Sequence, residues 1–206
     1  MISVTEFLSY MKIGLPISDE MTAFIKDSIR ASVDEMNTFT NRILVTLNAS
    51  LEIIYTEKTE YYDGYGTSVL YLNNHPVIDF GSSKANALQY LDENKEWKDL
   101  LTPPDTIENS IIILTYGKLV LMKDYIFPEG IKNIKVLYKS GYMPETLPAD
   151  LKRICYEKTA LKFMNSTFHT KARLGLQFYD DESGHRTRFK EEEFERVLKR
   201  YRRGVV

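Results

Sequence analysis

Apolar residues along the chain follow three patterns in turn, and each predicts a different kind of element. Met21, Phe24, Ile25, Ile29, Met36, Phe39 and Ile43 recur at helical spacing. This is the buried stripe of a long amphipathic helix, and its aromatic and methionine content reads as core. Ser28, Ala31 and Ser32 keep part of that surface small. Ahead of it, Ser3-Val4-Thr5-Glu6 has the form of a capping box before Phe7, Leu8 and Met11. Gly14 and Pro16 then break the chain, and Ser18 can cap the longer helix, with Asp19 and Glu20 near its positive end. The spacing predicts helices over about 3–12 and 18–43.

From Leu51 the period becomes two. Leu51, Ile53 and Tyr55 alternate with Glu52, Ile54 and Thr56, as in a strand. Tyr61, Tyr62 and Tyr65 surround Asp63-Gly64, a turn signal. Val69 to Leu72 and Val77 to Phe80 read as strands on either side of Asn73-Asn74-His75-Pro76. Ile111 to Tyr116 is β-branched and strand-like, and Gly117-Lys118 separates it from Leu119 to Met122, a predicted hairpin. A short strand near Leu88–Leu91 and a loop around Pro103-Pro104 fill the polar stretch between. Ile134, Val136 and Tyr138 then mark a strand that ends at Ser140-Gly141-Tyr142-Met143-Pro144.

Leu147-Pro148-Ala149-Asp150-Leu151 opens a third helix, with Pro148 suited to its first turn and Asp150 to its dipole. It is expected to reach Asn165. Its apolar residues spread round most of the circumference, so it must be covered on more than one side. A neighbouring subunit is one candidate cover, which makes Tyr156 and Phe163 candidate subunit-interface residues. An irregular segment, Phe178 to Arg188, leads to a charged helix from Phe189 to Arg203 with Phe194, Val197, Leu198 and Tyr201 on one side. The strand-to-helix elbow at Gly141 carries no nucleophile and no phosphate loop, which favours a structural module over an enzyme.

These patterns predict an α+β fold. A small helical bundle, made of the N-terminal helices and the helix near 148–165, carries an inserted antiparallel β-rich subdomain and a C-terminal helical arm. The expected division is 1–48 with 140–175 as the helical core, 49–139 as the insertion and 176–206 as a basic arm. Both ends of the insertion lead into amphipathic helices that need one another's apolar faces.

Composition sharpens this. The chain has 206 residues, 43% of them hydrophobic, which suits a real core and argues against disorder. No run of about 18 apolar residues occurs, so no membrane partner is expected. Met1 to Lys12 has an early Glu6 and no apolar segment of the kind a secretory signal needs. The lone Cys155 fits a reducing compartment and reads as a small buried hydrophobe. The net charge of −2 hides an asymmetry, because residues 147–206 hold 14 Lys and Arg against 9 Asp and Glu. An acidic body with a basic end can stack head to tail with copies or partners.

Catalytic and metal chemistry finds little support. His75, His169 and His185 have no ligand spacing. Cys155 with His169 is a poor nucleophile–base pair, given the helical setting of the cysteine. Asp63, Asp79, Asp92 and Glu93 are not fixed as a pair. Gly64-Tyr65-Gly66 lacks the lysine and helix of a phosphate loop. No cofactor, no metal and no enzymatic activity are expected. The 14 tyrosines suit amphipathic contact surfaces, so Tyr61, Tyr62 and Tyr65 are further candidate subunit-interface residues, ordinary strand packing being the bland alternative. The basic end (Arg196, Lys199, Arg200, Arg202 and Arg203) has three readings: a solvated face, docking on an acidic protein, or contact with DNA phosphate.

The order of elements resembles the head–tail connector (adaptor) proteins of tailed phages, in the longer version with a β-rich insertion. The resemblance is carried by Thr5-Glu6-Phe7-Leu8 with Gly14-Leu15, Ile29-Arg30-Ala31-Ser32 with Asn37 to Arg42, and Leu70 to Val77. It is carried best by Ile134 to Tyr142 followed by Leu147 to Leu151, and it ends with Val197 to Arg203. Lys84 to Ser110 matches nothing in the family's pattern. The resemblance implies a virion protein at the portal vertex, assembled in the host cytoplasm. It implies a homo-oligomeric ring of about twelve copies. Such a ring would join the phage portal protein to the next head-completion or tail protein and leave a channel through which DNA passes without sequence-specific binding. On this reading Phe194, Val197, Leu198, Tyr201 and the basic residues beside them dock on the portal. The alternative is a nucleic-acid-binding module that uses the basic arm.

Overall fold

Ser3 opens the first helix, α1 (Val4–Tyr10), by accepting the Glu6 N–H at 3.2 Å. In this computed structural model the residues described are 2–14, 16–55, 57–80, 86–102, 105–114, 117–168 and 191–202. Only half of the expected capping box forms. The Glu6 side chain turns away from the Ser3 N–H, which instead donates to the Tyr156 hydroxyl at 3.1 Å. Ser18 caps α2 (Asp19–Thr40) through the Met21 N–H. That helix stops short of Ile43 because Asn41 takes the left-handed conformation, a favoured helix C-terminus. The Asn37 amide then holds the exit, accepting from Leu44 N–H and donating to the Val45 carbonyl.

The chain divides into two compact units: Met1–Ile54 with Met143–Val206, and Tyr55–Tyr142. The first is helical. Pro148 precedes α4 (Ala149–Met164), and α5 (Glu191–Lys199) follows it; the short α3 (Ile107–Ser110) belongs to the other unit. Ile25 and Ile29 of α2 and Leu151, Ile154 and Phe163 of α4 are fully enclosed. Ser28 and Ser32 let α4 come close to α2, and the buried hydroxyls of Ser32 and Thr159 lie 3.2 Å apart. The expected strand over Leu51–Tyr55 does not form. Leu51 adopts a positive φ of 66°, the Asn48 side chain accepts from Ser50 and Glu52, and only an isolated bridge joins Leu47 to Ile53.

The second unit is two antiparallel sheets. One joins β1 (Glu57–Gly64), β8 (Gly130–Ser140), β4 (Leu88–Leu91) and β5 (Trp97–Asp99) in that order, with β3 (Val77–Phe80) also on β8. The other has the order β2 (Val69–Tyr71), β7 (Lys118–Leu121), β6 (Ile111–Leu114), with α3 (Ile107–Ser110) leading into β6. Period-two alternation puts Ile134, Val136 and Tyr138 of β8 in one core with Leu88, Leu119 and Phe127. The fold is α+β. Among the described residues no helix is long and apolar enough to cross a membrane.

Asp63-Gly64 is not the turn that its composition suggests; β1 runs through it, with a bulge between Tyr62 and Gly64. Gly64 is needed for space. A Cβ there would lie 1.7 Å from the Pro128 carbonyl oxygen, and the Gly64 N–H donates to the Asn133 side chain at 2.9 Å. Gly64→Ala should therefore force the end of β1 away from the Pro128 backbone that leads into β8. The expected loss is about 3 kcal/mol, read as a fall in the urea midpoint.

Several expectations fall outside the described residues: the loop at Pro103-Pro104, the end of the Ile111–Tyr116 run, the irregular segment Phe178–Arg188, His169 and His185, and both ends of the last helix at Phe189 and Arg203.

Candidate interaction surfaces

Among the described residues no group of three or more His, Cys, Asp or Glu is placed to hold a metal ion. Cys155 is fully buried, and burial pushes its thiol up to about 12, so it stays protonated at neutral pH and unreactive. What the structure offers instead is a set of contact surfaces.

The side chains round α4 are used within the chain. Phe7 of α1 packs on Tyr156 and Phe163 with ring centroids 6.1 Å away in each case, and Phe24 of α2 packs on Phe163 at 6.5 Å. Tyr156 and Phe163 are therefore not open to a neighbouring subunit, contrary to the sequence expectation; α1, α2 and α5 supply the covers that the apolar circumference demands. The Tyr156 hydroxyl donates to Glu6 at 2.8 Å, and Lys152 reaches the same carboxylate at 2.7 Å. Burial works against the charge on Glu6, but the bonds from Lys152 and Tyr156 outweigh it and hold the carboxyl below its ordinary value. Such a carboxylate contributes stability that is present above its unfolded pKa and is lost as pH falls through the lower folded value. Glu6→Gln should flatten the fall in stability below about pH 4.3, read from urea midpoints at a series of pH values.

The C-terminal helix divides in the same way. Phe194, Val197 and Leu198 are buried within the helical unit, so they are not the free docking face inferred from their spacing. Phe194 meets Phe39 edge-on at 5.9 Å, and the Lys158 ammonium lies 4.1 Å from the centre of its ring. Arg153 bridges Glu157 and Glu193 at 2.6 and 3.0 Å. Tyr201 is tied at both ends: its hydroxyl donates to Asp150 at 2.7 Å, and its carbonyl accepts from Arg42 at 2.6 Å. Arg196, Lys199, Arg200 and Arg202 are exposed, and Arg203 lies outside the described residues. Arg196, Lys199 and Arg200 meet the carboxylates of Glu193, Glu195 and Asp150 at 3.4–4.0 Å.

The three tyrosines of β1 and the turn after it separate. Tyr62 faces inward, where its hydroxyl and that of Tyr138 both donate to Glu60, and Asn74 donates to the other oxygen of that carboxylate at 2.6 Å. The same hydroxyls accept the Asn73 and Asn74 N–H groups, which pins the loop before Pro76 to the sheet. Burial first, and then the bonds to Glu60, raise both tyrosines well above their ordinary value, while the Asn73 and Asn74 N–H groups pull the other way. Tyr61 faces outward against Trp97 at 5.6 Å, and Tyr65 is 69% exposed.

Sequence reasoning missed the small sheet as a surface. Tyr71 of β2 is 60% exposed, and Ile112 and Ile113 of β6 are 42% and 37% exposed. The signal was present in the unbroken β-branched run at Ile111, which reads as an interior strand yet stands at a sheet edge.

No family model matches the chain, and no curated protein does. Among solved structures, the chain is similar to one from the neck of an empty gene transfer agent (GTA) particle, computed with C6 symmetry. The two share 12% identity with a TM-score of 0.56, over 98% of this chain and 90% of that one. At that identity, what the likeness establishes is a common fold along nearly the whole chain.

Proposed function

We propose that this chain is a structural component of the neck of a phage-like particle, built as a ring between the portal and the tail-proximal proteins, with an axial channel for DNA. The observation that carries the reading is the likeness in fold to a neck protein over 98% of the chain. The exposure of Tyr61, Tyr65 and the cations of α5 supports a role that rests on contact with neighbouring proteins. A neck computed with C6 symmetry fits any ring whose copy number is a multiple of six, and about twelve copies is such a number. The exposed Arg196, Lys199, Arg200 and Arg202 are the side chains offered to an acidic neighbour such as the portal.

The test is reconstitution. Portal-bearing heads that lack this chain, mixed with the purified protein, should acquire a ring of density at the portal vertex in averaged electron micrographs and become able to take tails. Heads that acquire neither would overturn the reading. Binding instead to free DNA, weakening steeply as salt rises, would favour a nucleic-acid-binding module.

A further inference from the structure

The small sheet has two edges that carry no second strand; on the β2 side Phe127 bridges Thr67 and the Thr67 hydroxyl donates to the Val69 carbonyl at 3.1 Å, which leaves Tyr71 as the outward backbone there. Among the described residues, β6 and β2 each pair only with β7, and no strand lies on the far side of either. Natural edge strands are usually protected by charge, proline or a bulge. Strand β6 has none of these over Ile111-Ile112-Ile113: Ile111 leans on the core while Ile112 stands on the outer face, so the strand is apolar on both sides, as an interior strand is. Strand β2 matches it, with buried Leu70 on the inner face and Val69 and Tyr71 on the outer. Since Met122 N–H bonds to Ser110 and Ile112 pairs with Val120, alternation of the ladder turns the N–H and C=O of Ile113 away from β7.

We propose that the open edge of β6 joins β2 of a second copy of this chain as parallel strands, so that one sheet runs through successive subunits. This rests on the ring reading above and names the contact that would build the ring. Three features select a second copy as the occupant. Both β2 and β6 run antiparallel to β7 and hence parallel to each other, so a rotation that carries one copy to the next brings β6 against β2 with the strand direction preserved. The edges are of similar length, three and four residues, and present the same apolar inner and outer rows. The contact is heterologous, and repetition closes a ring when the rotation divides a full turn. Pairing β6 with itself would give a closed pair and leave β2 uncovered.

The experiment uses Ile112→Cys and Tyr71→Cys, both exposed on the outer face; the native Cys155 is buried and does not compete. The double variant, assembled on portal-bearing heads and oxidised, should give a covalent ladder on non-reducing gels. Mixed single variants should give dimers only across the two types. A control that pairs Ile54→Cys with Tyr71→Cys should give none. Ile113→Pro, which removes an outward N–H and no bond to β7, should lower ring occupancy on heads at least tenfold while circular dichroism is unchanged. Dimers of Ile112→Cys alone would overturn the proposal in favour of β6 pairing with itself. A ring visible on heads without cross-links would overturn this contact and leave the ring reading standing. Neither ring nor cross-link would overturn both.

Discussion

Replacing Arg196, Lys199, Arg200 and Arg202 together by Gln should leave the melting temperature nearly unchanged and weaken attachment to portal-bearing heads at least tenfold. The four side chains are exposed, and the ion pairs that Arg196, Lys199 and Arg200 make with Glu193, Glu195 and Asp150 lie at the surface. Pairs of that kind are worth about 0–1 kcal/mol each, so the fold loses little. Leu198→Asp should do the reverse. Leu198 is fully enclosed, and a carboxylate there has no partner, which costs about 3–5 kcal/mol and releases α5 from α2 and α4. Together the variants separate docking from folding, as deletion of residues 190–206 cannot. Deletion would uncover Phe39 and strip Lys158 of its ring, damaging the helical unit itself. Equal loss of attachment in both variants, with the Gln variant melting as early as Leu198→Asp, would show that the cations support the fold rather than a partner.

Phe163→Ala should be the most damaging single truncation in the helical unit. The ring is fully buried and meets Phe7 and Phe24, so α1 and α2 both lose their contact with α4 at that point. A cavity of this kind costs about 3–5 kcal/mol. For a chain of this size the melting temperature should fall by roughly 10 °C. Hydrogen exchange gives the sharper check: amides of α1, α2 and α4 should exchange faster while those of β8 keep their protection. Tyr138→Phe is the counterpart in the β-rich unit. It removes a hydroxyl that donates to Glu60 and accepts from Asn74, leaving ring packing in place, and should cost about 1–3 kcal/mol.

The helices were legible because their signals are local. Ser18 is a cap wherever the chain goes, and the stripe from Met21 to Met36 has one solution. The period-two reading of β8 succeeded for the same reason. What failed depended on side chains making turns and covers that spacing cannot show. Asn48 bends Leu51–Tyr55 out of a strand, and Asn41 ends α2 two residues before the apolar stripe does. The candidate site was harder still. Phe194, Val197 and Leu198 have the spacing of an exposed stripe and of a buried one alike, and only the presence of Phe39 and Lys158 decides between them. Tyr61, Tyr62 and Tyr65 are one cluster in sequence and several environments in space, because strand alternation sends Tyr62 inward to Glu60 and Tyr61 outward to Trp97.

The helical unit is assembled from both ends of the chain, and this sets a schedule during synthesis. The last residue of α2 is Thr40 and the first of α4 is Ala149, with the whole β-rich unit encoded between them. At about 5–20 residues per second, α2 waits roughly 5–20 s for its main packing partner. Through that interval Ile25, Ile29 and Val33 face solvent or whatever protects them on the ribosome. A β-rich unit that folds promptly brings the two segments together in time; variants that slow it, Gly64→Ala among them, should lower soluble yield by more than their loss of equilibrium stability accounts for.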